Sequence, residues 1–154
     1  MAATGKCVAL VCLALAGCTA EGERYDPTRV GATGNTGIIY VYREEGTIWA
    51  RGESPLIQID GKSYGQLKAG GNIRAALPEG EHKVTVMQTL FLVVPTIPKS
   101  VTVAVVPASR SYVKVDQRIT SFGQHGTISA TQETMIEEVD PATGQSELQK
   151  SRAN

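Results

Sequence analysis

Cysteines, histidines and a few carboxylates hold whatever chemistry this chain of 154 residues can perform. The thiolate is the strong nucleophile among side chains, so the cysteines come first. Cys7, Cys12 and Cys18 all stand in the opening stretch, and Cys18 directly follows Leu15-Ala16-Gly17. A metal site needs several His, Cys, Asp or Glu at ligand spacing. His82 and His125 lie far apart in sequence, so no metal is expected. His82 reads as a structural residue on a strand after a turn, and His125, between Gln124 and Gly126, as a solvated loop residue. A hydrolase needs a nucleophile held by a base. No Gly-x-Ser-x-Gly is present, and nothing marks the nearby Ser121 and His125 as activated. The pairs Glu44-Glu45 and Glu137-Glu138 cannot share a substrate from a strand, because neighbouring side chains there point to opposite faces. Gly31-Ala32-Thr33-Gly34-Asn35-Thr36-Gly37 precedes a strand instead of following one, and it lacks a Gly-Lys-Ser/Thr end, so it reads as linker and not as a phosphate loop. No catalytic residue and no cofactor is therefore assigned, and an enzyme is not expected.

The elements that position Cys18 form an export signal. Lys6 supplies a short positive region. Residues 8–15, Val-Ala-Leu-Val-Cys-Leu-Ala-Leu, are an apolar core too short to span a bilayer. Small residues follow. Leu15-Ala16-Gly17-Cys18 resembles the lipobox of bacterial lipoproteins. The resemblance implies cleavage before Cys18, acylation of its sulfur, and membrane attachment through several acyl chains, which together bind stably. The alternatives are a secretory signal cut later, near Ala20, with Cys18 lost, and a retained signal anchor. In Gram-negative sorting an Asp after the Cys favours the inner membrane. Thr19 there implies the outer membrane, facing the periplasm. Cys7 and Cys12 fall in the removed segment, so the mature chain would form no internal disulfide.

Charge is balanced, with 15 basic and 15 acidic residues, and no basic excess points to nucleic acid. Residues 18–36 are rich in Gly, Thr and charge and read as a flexible tether, with a reach of about 20–25 Å at ~5–6 Å × √n. From Ile38 the apolar period becomes two, with frequent turns, which predicts an all-β sandwich over residues 37–140. Ile38-Ile39-Tyr40-Val41-Tyr42, ending at Arg43, has continuous apolar character and should be a central strand buried on both faces. Leu56-Ile57-Gln58-Ile59 alternates into Asp60-Gly61, the strongest hairpin signal in the chain. Ile73, Ala75 and Leu77 share a face, as do His82, Val84 and Val86, and then Val101, Val103 and Val105. Tyr112-Val113-Lys114-Val115 is a further strand, which Gln117-Arg118-Ile119 could continue. Residues 128–139 fit either strand or helix. Asp140-Pro141-Ala142-Thr143-Gly144 reads as a turn, and Ser146 as the N-cap of a short helix. Residues 141–154 are expected to form a poorly ordered tail around that helix.

Tyr40-Val41-Tyr42-Arg43, Ile59-Asp60-Gly61-Lys62 and Leu77-Pro78-Glu79-Gly80-Glu81-His82 are similar to an uncharacterised domain of short bacterial lipoproteins, and to PEGA-type surface domains. The resemblance implies an immunoglobulin-like or prealbumin-like β-sandwich and brings no activity or ligand with it. Two surface sites are candidates. Arg43 with Trp49 could hold a sugar or peptide, against the plainer reading of core and rim packing. Leu90-Phe91-Leu92-Val93-Val94-Pro95-Thr96-Ile97 is either a buried strand ended by Pro95 or an exposed apolar loop. In the second case Leu90, Phe91, Leu92 and Ile97 would dock a partner or the lipid surface. The leading expectation is a membrane-anchored, non-enzymatic envelope lipoprotein that engages another envelope component, an envelope protein or cell-wall glycan. A carbohydrate- or peptidoglycan-binding module and a hydrolase stand behind it.

Overall fold

The computed structural model describes residues 20, 24–26, 28, 34–46, 53–90, 94–95, 97–122 and 130–154. Cys18, Trp49, Phe91, Leu92, His125 and the whole signal segment lie outside the described residues.

Two sheets face each other. The first joins β1 (Thr36–Tyr42), β4 (Gly71–Pro78), β9 (Arg110–Phe122), β10 (Ala130–Val139) and β11 (Arg152–Ala153), in the order β10-β9-β1-β4-β11. The second joins β2 (Leu56–Ile59), β3 (Lys62–Gln66), β5 (Gly80–Met87) and β8 (Lys99–Val105), in the order β3-β2-β5-β8. A separate ribbon pairs β6 (Thr89–Leu90) with β7 (Val94–Pro95). One short helix, α1 (Pro141–Leu148), completes the all-β sandwich.

The period-two residues meet where expected. Ile39, Val41, Ala75, Leu77, Val113 and Val115 from one sheet pack with Ile57, Ile59, Val84, Val86, Val103 and Val105 from the other. Each such side chain taken fully from water contributes about 1.5–3 kcal/mol. Residues 130–139, open between strand and helix in the sequence, are strand β10, paired along β9 from Ala130–Phe122 to Val139–Tyr112. Long-range pairing decides where local pattern does not.

β1 is buried on both faces, and its outer face needs a cover. Ile38, Tyr40 and Tyr42 gather there with Tyr112 and the fully buried Leu148 of α1. The helix begins earlier than the sequence suggests. Asp140, not Ser146, is its N-cap, accepting from the Ala142 and Thr143 amides at 3.1 and 3.0 Å, with Pro141 opening the first turn. A missing N–H costs nothing at that position. Gly144 packs straight onto Tyr112, where a Cβ would overlap the ring. The chain end is not frayed either. Arg152 and Ala153 pair in parallel with Gly71 and Asn72, and the Asn72 amide donates to the Ser151 hydroxyl at 2.9 Å.

The presumed tether is also partly docked. The Ala20 amide donates to the Ala69 carbonyl at 3.2 Å, and the Tyr25 amide to the Ser151 carbonyl at 3.3 Å. Tyr25 stands edge-on to Tyr40, with ring centroids 5.2 Å apart, and Tyr40 stacks on Tyr112. Each such aromatic pair adds about 0.5–1.5 kcal/mol beyond area burial.

At the far end of the sandwich the Asp60-Gly61 turn has the expected geometry, with φ of +52° and +79°. Asp60 does more than turn the chain. One carboxylate oxygen contacts His82 Nδ1 at 2.6 Å, and the other accepts from the Lys83 amide at 2.9 Å. His82 Nε2 lies 2.9 Å from the Pro78 carbonyl. Both ring nitrogens thus face acceptors, which suits the imidazolium as double donor. The Asp60 hydrogen bond raises the His82 pKa, and the same bond, helped by the Lys83 amide, lowers that of Asp60. A raised His stabilises fully below its unfolded value of about 6.5 and loses that effect as pH rises through the folded value. A depressed Asp stabilises above its unfolded value of about 3.9 and loses that effect as pH falls through the folded value. The stability difference between the native chain and His82→Gln, from urea midpoints, is therefore expected to peak between those two pH values. A difference that grows above pH 7 would rule out a charged clamp.

Candidate functional site

The end of β1 gathers the chain's unusual polar groups. Alternation puts Ile39, Val41 and Arg43 toward the second sheet, so Arg43 stands at the rim of the core. Its side chain is 2 % exposed and Nη1 donates to the Glu53 carbonyl at 2.6 Å. Burial pulls the guanidinium down to about 10, against the attraction of Glu53 and Asp116, so it stays charged at neutral pH. Gln88 is buried beside it. Its amide donates to the Glu53 carboxylate and accepts from the Thr134 hydroxyl. Gln117, opposite Thr134 in the ladder, buries both amide heteroatoms with no hydrogen-bond partner among the described residues. Such a group costs about 1–3 kcal/mol.

On the outer side of the same strand end, Tyr42 donates to Glu147 at 2.6 Å. Lys114 bridges Glu147 at 2.9 Å and Glu44 at 3.5 Å. Burial pushes the Tyr42 phenol far up, as does its bond to Glu147. Burial would raise Glu147 too, but the bonds from Tyr42 and Lys114 together hold it below the usual carboxylate range. A Tyr so raised stays protonated and a Glu so lowered stays ionised. Neither is poised to exchange a proton near pH 7. A cleft of about 290 Å³ opens beside them, walled by Tyr42, Arg43, Glu44, Glu45, Gly70, Glu147, Lys150 and Ser151. Among the described residues no group of three or more His, Cys, Asp or Glu could hold a metal ion, and no helix is long and apolar enough to cross a membrane.

The candidate residues fare differently. Arg43 is largely buried, turned inward by its parity on β1 to hold the Glu53 carbonyl, and it also lines the cleft beside Tyr42. Leu90 lies in β6 and Val94 in β7, which pair with each other in a ribbon apart from both sheets; Phe91 and Leu92 lie outside the described residues. Pro95 closes β7, and Ile97 beyond it is 82 % exposed. Leu90 and Ile97 thus stand on one connection, between β5 and β8.

Tyr25 and the Tyr42–Glu147–Lys114 chain escaped sequence reading. Tyr25 is the lone aromatic between Cys18 and Thr36, a signal that could have marked a docked segment.

Fold and site together define a two-sheet β-sandwich with one buried polar cluster where β1 ends and a separate His82–Asp60 pair at the other end. No protein-family model, curated protein or solved structure matches the chain.

The two readings of Arg43 separate by experiment. As a buried strut, Arg43→Ala should cost about 1.5–3 kcal/mol, the usual range for a buried charged hydrogen bond. A chemical denaturation series measures this, and an unchanged midpoint would restore Arg43 to the surface.

Proposed function

We propose that this chain is an exported bacterial lipoprotein, acylated at Cys18, whose β-sandwich is a non-enzymatic module engaging another component of the cell envelope. The observation that carries the reading is Leu15-Ala16-Gly17-Cys18, set directly after the apolar core of residues 8–15. The thiolate is the nucleophile that thioether formation with a diacylglyceryl donor requires. Thr19 directs the protein to the outer membrane in a Gram-negative host.

The geometry of the polar groups supports a binding role over catalysis. Arg43, Tyr42, Lys114, Glu147, Asp60 and His82 are each engaged with a neighbour in the fold. An acid–base catalyst needs a pKa near the working pH and reach to a substrate. The cleft beside Tyr42 is at the small end of ligand sites, which usually run to about 300–1,000 Å³. In a glycan-binding reading, Arg43 would act only where it lines the cleft, since most of its side chain is buried against the Glu53 carbonyl. Ile97, 82 % exposed between β7 and β8, offers one exposed apolar side chain to an envelope component.

Intact mass of the mature protein, beside Cys18→Ala, tests the proposal. The expected product starts at Cys18 and carries added acyl mass that vanishes in the variant. An unmodified chain starting near Glu21 would overturn the reading and make this a soluble secreted domain.

A further inference from the structure

We propose that this chain associates with a second copy of itself edge to edge, the β4 edge of one copy pairing with the β10 edge of the next. The proposal does not depend on acylation at Cys18.

The first observation is an open backbone edge. β4 has β1 on one side and β11 on the other, and β11 reaches only Gly71 and Asn72. The Arg43 amide donates to the Gly71 carbonyl and the Glu79 amide to the Asn35 carbonyl, so the odd-numbered residues of β4 turn their backbone groups to β1. The even-numbered ones turn theirs away. The Asn72 carbonyl accepts from the Asn154 amide at 3.2 Å. Arg74 and Ala76, next along, have no strand beside them among the described residues. A row of unpaired N–H and C=O groups is a template for another strand. Space is open on both sides of this edge. Arg74 lines one cleft with Arg24, Tyr25 and Asp26, and another, of about 310 Å³, with Tyr64, Gln66 and Asn154.

The second observation is the direction of the opposite margin. β10 closes the other side of the same sheet, with β9 beside it and no strand beyond it among the described residues. β4 runs antiparallel to β1, and so does β10, since β9 is parallel to β1 and antiparallel to β10. A second copy in the same orientation therefore brings its β10 alongside β4 in parallel, as β11 already lies. Outer face then continues into outer face. Ile73, Ala75 and Ile136 pack on the core, which leaves Arg74 and Ala76 of β4 and Glu133, Met135 and Glu137 of β10 on the outer side.

The third observation is charge. β10 carries Glu133, Glu137 and Glu138, all exposed, and neither Lys nor Arg. Arg24, Arg74 and Arg152 are exposed at the β4–β11 margin. None of these six side chains makes an ion pair or hydrogen bond among the described residues. Glu137 stands opposite Lys114 in the ladder, but that ammonium is turned to Glu147 and Glu44. Charged margins usually keep sheets apart. Here like charges oppose the pairing of β4 with β4 and of β10 with β10, while opposite charges favour β4 with β10. Such a head-to-tail contact leaves a free margin on each outer copy, so association extends beyond a dimer.

Zero-length carbodiimide crosslinking of the full chain tests this. Arg74→Lys keeps the charge and supplies an amine that a carbodiimide joins to a facing carboxylate. Isotope-labelled and unlabelled chains are mixed in equal amounts, so a crosslink between copies is recognised by its mass. The expected result is a ladder of dimer and higher bands several-fold stronger than for the native chain and weakened by added salt. In those bands position 74 of one copy is joined to Glu133, Glu137 or Glu138 of another. Bands no stronger than for the native chain, or coupling of position 74 to carboxylates elsewhere, overturn the proposal. Coupling to a different protein in place of this chain, in an extract of the producing cells, also overturns it. Hydrogen exchange in dilute solution gives an independent reading. The Arg74 and Ala76 amides should exchange several-fold faster than those of Ile73 and Ala75, which face β1. Equal protection at all four would mean that one copy already covers its own edge, and it removes the docking site.

Discussion

The structure depends on a strand that is apolar on both faces. β1 sends Ile39 and Val41 into the space between the sheets and Ile38, Tyr40 and Tyr42 to the other side. A two-sheet sandwich can cover only the first set. Uncovered, the second set would leave a strip of apolar and aromatic surface in water. The ends of the chain are recruited to cover it. α1 lays Leu148 there, Tyr25 closes on Tyr40, and Val139 packs at the edge. Covering β1 thus determines where the chain enters and leaves the domain.

That cover has an electrostatic seam. Tyr42, Glu147 and Lys114 form a hydrogen-bonded chain between α1 and the sheet. Tyr25 meets the Tyr112 hydroxyl and Arg110 at 3.4 Å each, and burial pushes its own phenol up to about 12. Across the sheet, Arg43, Glu53, Gln88 and Thr134 close the core end with polar groups where strands give way to connections. Buried polar networks contribute little net stability compared with apolar packing, yet they penalise any misfit. They hold in one arrangement the end of the sandwich from which the apolar connection leaves.

Much of the sandwich was legible in the sequence, because period-two patterning and turn chemistry are local. Ile73, Ala75 and Leu77 share a buried face, and Asp60-Gly61 turns with both φ positive. The both-faces burial of β1 was legible from its unbroken apolar run. The termini were not. Asp140-Pro141 reads equally as a turn or a helix start, and only the Tyr112 surface against Gly144 and Leu148 settles it. Arg152 and Ala153 carry no strand signal, since their pairing with Gly71 and Asn72 is set by contacts remote in sequence. The candidate site was half legible. Arg43 stood out, but its inward parity depends on which face of β1 meets the second sheet, and that strand is apolar on both. The apolar run from Leu90 does not say which strands it joins, and the pairing of Thr89 with Pro95 and of Leu90 with Val94 in a separate ribbon is set by contacts the local pattern does not carry.

The central claim is that Ala20 and Tyr25 belong to the folded domain. Amide hydrogen exchange at Ala20 and Tyr25 in the mature protein tests it most directly. Both amides donate to backbone carbonyls, Ala69 and Ser151. Protection from exchange marks amides that open only with the surrounding structure. The account predicts protection at Ala20 and Tyr25 approaching that of Ile73 in β4. Exchange at the rate of a free peptide, with β4 still protected, would make these residues a loose tether and contradict it.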